Sequence, residues 1–201
     1  MGVNHVIVVD LHCGQIQGFF PNQVPCDNLT GGSVGARYFA KKKDLKDLVI
    51  VSPDAGGVKR AKEFCEILQD IKSQKIRLAM IAKQRSEPGV VSSMNLIGQV
   101  QDADCLICDD MIDTAGTLCK AARLLKDQGA RNVYAFASHG VFSGPAYERI
   151  RDSVLKEVVV LDTMPLPKGQ VPSQITQISV SSLVAEAIRR CRDNGSLLSR
   201  L

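Results

Sequence analysis

The stretch CLICDDMIDTAGT, residues 105–117, decides how this chain is to be read. Cys105 to Cys108 is a short apolar run of the kind a strand covered on both faces requires. It ends in an acidic pair, Asp109 and Asp110, and after a brief turn Thr114, Ala115, Gly116 and Thr117 open a helix. The first amides of a helix lack intrahelical partners and bind phosphate well. Carboxylates accept hydrogen bonds and cannot donate them. Acids beside an anion cradle suit a ligand carrying both hydroxyls and a phosphate, and a ribose 5-phosphate answers that description.

Working outward, further apolar runs at Val6–Val9, Leu48–Val51, Leu78–Ile81, Val133–Ala137 and Val158–Leu161 read as buried strands. Helical patterns lie between and after them, near 57–69, 115–128, 144–153 and 181–193. This alternation predicts an α/β fold, a parallel sheet flanked by helices. Gly129, just after the helical pattern at 115–128, predicts a C-cap with positive φ. Lys83 to Val90, with Pro88 and Gly89, reads as a mobile loop, and the prolines of 164–172 predict an irregular connection.

Composition narrows the function classes. A chain of 201 residues buries about 70% of its unfolded surface, enough for a core without staples. One domain over 1–201 is expected. Aromatics make up 4% with no Trp, which argues against a base-stacking nucleic-acid platform. The net charge of +4 is mild and compatible with an anionic small substrate. Seven cysteines in no framework spacing read as reduced thiols. Cys105 and Cys108, three apart on a strand, face opposite ways and form no redox or zinc pair. No Cys–His or Ser–His–Asp pairing stands out. No apolar run approaches the roughly 18 residues of a membrane span, no secretory signal is visible, and the cytoplasm is the expected location.

In an open α/β sheet, ligands bind at the carboxyl ends of the strands. Polar motifs stand at such ends: Asp10-Leu11-His12, Ser52-Pro53-Asp54-Ala55-Gly56-Gly57, Lys83-Gln84-Arg85 and Asp109 to Thr117. His12 and Asp54 offer one nitrogen and one carboxylate near a phosphate site, enough for Mg²⁺, which keeps waters and takes phosphate oxygens. Lys83 and Arg85 would clamp a transferring phosphoryl group. His139 reads mainly as structural.

These motifs, with DLHCGQIQGFF (10–20), VSPDAGGVKRA (51–61), SHGVFSGPA (138–146) and AEAIRR (185–190), resemble the later portion of the ribose-phosphate diphosphokinase (phosphoribosyl diphosphate synthetase) family. The resemblance implies a phosphoribosyltransferase type I-like fold. It implies Mg²⁺-dependent transfer of diphosphate from ATP to O1 of ribose 5-phosphate in nucleotide biosynthesis, by a homo-oligomer. Asp109, Asp110 and Asp113 to Thr117 would form the sugar-phosphate site, the acid pair holding the ring hydroxyls. His12 and Asp54 would hold Mg²⁺–ATP, and Lys83 and Arg85 would belong to the catalytic loop. Gln17, Asp27 and Asn28 fall in the family's region for allosteric effectors. The family's N-terminal portion, which supplies much of the adenine pocket, has no counterpart here, so the chain is expected to be inactive alone. Cys13-Gly14 and the ending DNGSLLSRL depart from the family pattern. Two other readings stay open: a phosphoribosyltransferase that consumes the diphosphate product, and a non-catalytic subunit of the synthetase.

Overall fold

A computed structural model describes residues 2–87, 90–167 and 169–193, with side chains throughout except at 84–93. The chain begins with β1 (Val6–Val9), a 3₁₀ turn (Gly14–Phe19), β2 (Cys26–Leu29) and α1 (Gly32–Ala40). It continues through β3 (Val49–Ser52), α2 (Val58–Lys72), β4 (Arg77–Glu87), β5 (Val90–Ile97) and β6 (Asp104–Ile112). Then follow α3 (Gly116–Asp127), β7 (Asn132–Gly140), α4 (Ala146–Arg151), β8 (Leu155–Leu161), β9 (Ile175–Ile178) and α5 (Ser181–Arg192).

Seven strands form one sheet in the order β5-β4-β3-β6-β7-β8-β9. Every neighbouring pair is parallel except β4 and β5. The central strands read as unbroken apolar runs because helices cover both faces. Val49, Val51, Cys105 and Ile107 face one buried cluster, where Leu118, Ala121, Ala122 and Leu125 of α3 pack. Ile50, Leu106 and Cys108 face the other, with Ala36 and Phe39 of α1 and Ala61, Phe64, Cys65 and Leu68 of α2. Cys105 and Cys108 are thus on opposite faces, and both are free and buried. Gly129 has φ +87°, and its N–H donates to the Lys126 carbonyl, as a helix C-cap requires.

Two expectations change. Val6–Val9 does not enter the main sheet. It pairs in parallel with β2 as a separate two-stranded ribbon, half-exposed along its length. The ribbon packs on α5, with Ile7 and Val9 against Leu29, Leu183 and Ala187. Second, the segment from Lys83 is not a loop. Residues 83–87 continue β4, which pairs with β5 in an antiparallel hairpin with register shifts near Arg85. Pro88 and Gly89, and residues 194–201 of the divergent ending, lie outside the described residues. The described part of 164–172 carries no helix or strand, as its prolines predict.

Candidate active site

Strand β6 runs past its apolar run, so Asp109 and Asp110 stand on the strand and alternate across it. Asp109 faces a cleft of about 200 Å³ at the strand end, whose lining also includes Pro53, Lys83, Asp113 and the turn from Thr114 to Thr117. Asp110 is buried on the other side. Its Oδ2 lies 2.6 Å from Nδ1 of His12, and its Oδ1 lies 3.3 Å from Nη1 of Arg60. That same Nη1 is 3.6 Å from Oδ1 of Asp109, which also accepts the Asp110 N–H at 2.9 Å. The two acids therefore do different work. One fronts the cleft, while the other holds His12.

Their protonation diverges accordingly. Burial, then the adjacent Asp110, raises Asp109 well above the ordinary carboxylate value. Burial pushes Asp110 upward too, but the hydrogen bonds with Asp109 and His12 and the Arg60 charge outweigh it and hold Asp110 low.

The turn into α3 is built for close approach. Ala115 takes φ +57°, a left-handed conformation that strains a residue with a Cβ. Gly116 begins the helix, so the amides of its first turn have no intrahelical partners. Arg149 of α4 braces the turn by donating from Nη1 to the Thr114 carbonyl at 2.9 Å.

Lys83 reaches the cleft from β4, its side chain only 10% exposed, with Nζ 2.9 Å from Oδ2 of Asp54. Asp54 is fixed in turn: its Oδ1 accepts the Gly57 N–H at 3.1 Å, and the Ser52 hydroxyl donates to its carbonyl at 2.6 Å. Burial acts upward on the Asp54 carboxyl, but Lys83 and the glycine amides overcome it and leave it below the ordinary value. The Arg85 side chain is outside the described residues.

His12 and Asp54 engage different partners, and among the described residues no three His, Cys, Asp or Glu gather as a metal cage. The donors still fit Mg²⁺ bound together with a phosphorylated ligand, which needs one or two protein ligands beside waters and phosphate oxygens. With Nδ1–H of His12 donating to Asp110, Nε2 carries the lone pair and the exposed ring can present it outward.

The remaining polar residues sort into supports. Asp10 is buried, accepting from the Ser138 hydroxyl and from the Gly31 N–H at 2.9 Å. His139 lies 3.0 Å from the Val9 carbonyl and 2.9 Å from the Thr163 hydroxyl, so it is structural, as its sequence setting suggests. Of the effector-region residues, Gln17 bonds to Gly14 within its own turn, Asp27 pairs with His5 at 2.5 Å, and Asn28 accepts the Leu11 N–H at 3.1 Å. Arg60 and Arg149 were not legible as site residues. Each sits on a helix amid other charges, and only the fold brings it to a strand end or a turn.

The fold is of the α/β class, a mostly parallel sheet in which one strand brings an acid beside the first amides of a helix. Comparison with known proteins is more specific. Residues 72–201 match the family model described as the phosphoribosyl synthetase-associated domain, and the chain belongs to that family. It is 45% identical over 198 residues to a ribose-phosphate pyrophosphokinase of Clostridium perfringens and 48% identical over 198 to that of Shewanella oneidensis. Each alignment covers 98% of this chain and 60% of the relative, so the chain spans about three fifths of the length of these curated relatives. The crystal structure of phosphoribosylpyrophosphate synthetase from Mycobacterium smegmatis superposes with a TM-score of 0.84 at 36% identity, covering 96% of this chain and 60% of that one.

Proposed function

We propose that the cleft binds ribose 5-phosphate, and that this chain is the sugar-phosphate part of a ribose-phosphate diphosphokinase. One observation carries the reading. Asp109, the strained turn with its unpaired helix amides, and the Lys83 ammonium line one cleft. The amides from Gly116 onward would take the 5-phosphate, with Thr114 and Thr117 hydroxyls beside them. Asp109 would accept from the ring hydroxyls, and Asp113 would border them.

Transfer of a diphosphoryl group from ATP to O1 is proposed for a molecule with the full length of the relatives. Bound Mg²⁺ would neutralise phosphate charge there. Asp54 and Nε2 of His12 are the residues that would hold it, and Asp110 would keep the imidazole in the required tautomer. Lys83, paired with Asp54 beside the cleft, would stabilise charge on the moving group, with Arg85 as its neighbour along β4. Positioning and electrostatics suffice for such a reaction. Gln17, Asp27 and Asn28 remain candidates for effector binding on the ribbon side. A cytoplasmic homo-oligomer is part of the same proposal. Among the described residues no helix is long and apolar enough to cross a membrane.

Calorimetric titration of the purified chain tests the reading. Ribose 5-phosphate is expected to bind saturably and more tightly than ribose or inorganic phosphate alone. Absence of binding, or binding indifferent to replacement of Asp109, overturns it. Exchange of a purine or pyrimidine base with phosphoribosyl diphosphate would instead identify a phosphoribosyltransferase.

A further inference from the structure

Outside the lining of the sugar-phosphate cleft, three elements bring together a thiol, an imidazole and a carboxylate. His5 immediately precedes β1, Asp27 lies on β2, and Cys191 sits in the last turn of α5. Nε2 of His5 is 2.5 Å from Oδ2 of Asp27, and Nδ1 of the same ring is 3.9 Å from Sγ of Cys191. Residues 5 and 191 are 186 positions apart, so no reading of spacing could pair them. The packing of the ribbon on α5, through Leu29, Leu183 and Ala187, sets the alignment. All three side chains are partly exposed, His5 and Asp27 at 33% and 32%.

The order of contacts fixes the direction of proton flow. An Asp27 carboxylate accepts from Nε2–H, which leaves Nδ1 bare and facing the thiol. That is the arrangement in which a base activates a nucleophile while a third group orients the base. The other cysteines lack it. Cys65, Cys105 and Cys108 are buried, and burial pushes their thiols up, Cys105 to about 12. Cys13 is exposed, but its Sγ contacts the Gln15 side chain instead, at 2.6 Å.

We propose that Cys191, His5 and Asp27 form a thiol–disulfide exchange site that takes a low-molecular-weight disulfide. As Sγ of Cys191 attacks one sulfur of that disulfide, His5 accepts the thiol proton and Asp27 stabilises the imidazolium. The disulfide's S–S bond breaks as the new one forms. The departing half leaves as a thiolate and takes the proton from His5. Cys191 is oxidised to a mixed disulfide, and the departing half is reduced to a thiol. The product marks the seam between α5 and the ribbon, and a dithiol reductant reverses it.

Oxidised glutathione is the probe, with the rate at each cysteine followed by peptide mass spectrometry on the whole chain. Cys191 is expected to react at least about tenfold faster than Cys13, the size of effect a positioned base supplies at its lower end. His5→Ala should remove that advantage and leave the Cys13 rate unchanged. Asp27→Asn should do the same, because an amide at Nε2 favours the tautomer with the proton on Nδ1. Equal rates at Cys191 and Cys13 in the unaltered chain overturn the proposal, as does a Cys191 rate that survives both substitutions. Should a variant misfold, Cys108 becomes reactive, and the ratio in the unaltered chain then decides.

Discussion

Strand β6 carries Asp104 at its start and Asp109 in its carboxyl half, and the two are opposites. Asp104, at its start, is fully buried and fully partnered. It accepts from the Arg131 guanidinium through both oxygens, from the Asn132 amide at 2.8 Å and from the Lys46 N–H at 2.7 Å. Burial alone would raise its carboxyl, but these donors prevail and hold it below 3.8. Asp109, five residues on, is crowded by a second carboxylate, and its cation is 3.6 Å away. It is raised rather than lowered. The first acid is spent on holding the sheet together. The second is left short of donors, and that unmet demand is what a hydroxyl-rich ligand can satisfy.

The comparison predicts opposite responses. The largest effect is expected from Asp104→Ala. It removes a buried acceptor from the Arg131 guanidinium, the Asn132 amide and the Lys46 N–H and should cost about 3 kcal/mol in denaturant unfolding, with sugar-phosphate affinity intact. The folded carboxyl titrates below its unfolded value of 3.8, so its contribution is complete above that pH and lost as pH falls through the lower folded value. The gap between the unaltered chain and Asp104→Asn should therefore close in acid. A gap independent of pH would show that Asp104 acts by packing alone.

Next in size is Asp109→Asn. Losing charge-assisted hydrogen bonds should weaken ribose 5-phosphate binding about tenfold or more, with no loss in melting temperature. A fall in melting temperature as large as that of the Asp104 variant would erase the distinction between the two acids. A smaller effect should come from pH. The proton leaves Asp109 at a higher pH than from an ordinary carboxyl, so affinity should climb as pH rises through that raised value. Calorimetry at several pH values, with inorganic phosphate as control for ionisation of the ligand, checks this, and the Asn variant should flatten the slope. The smallest is Ala115→Gly. Relief of left-handed strain, less the added freedom of the unfolded chain, should stabilise by about 0.5 kcal/mol in thermal melts.

Much of this architecture is legible in the sequence. Runs such as Val49–Val51 and Val158–Leu161 are apolar without interruption because both sheet faces are covered, and the helices follow from periodicity. The ribbon is not legible, because Val6–Val9 has the composition of a core strand although it pairs with β2 alone and stays half-exposed. Strand β2, with Asp27 and Asn28 in its middle, has no strand pattern, and α1 opens on glycine. The hairpin is hidden because Lys83-Gln84-Arg85 is polar and Pro-Gly follows. In the site, the local spacing brings Asp109 and the turn from Asp113 to Thr117 to one cleft, but it does not show that Asp110, expected beside Asp109 on the sugar, is buried away from it. The bond between His12 and Asp110 spans 98 residues, and Arg60 reaches both acids from a helix surface. Such pairings belong to the fold, not to spacing.

Asp10 has one further consequence. This carboxyl anchors the start of the histidine loop to Ser138, and His139 grips the backbone beside it. Both residues lie on β7, the strand paired in register with β6 as far as Ile112 and Gly140. The loop bearing His12 and the strand bearing the acids thus share one mount. Any displacement of β7 carries them together and preserves the interval between them, as a common chassis keeps two lenses collimated.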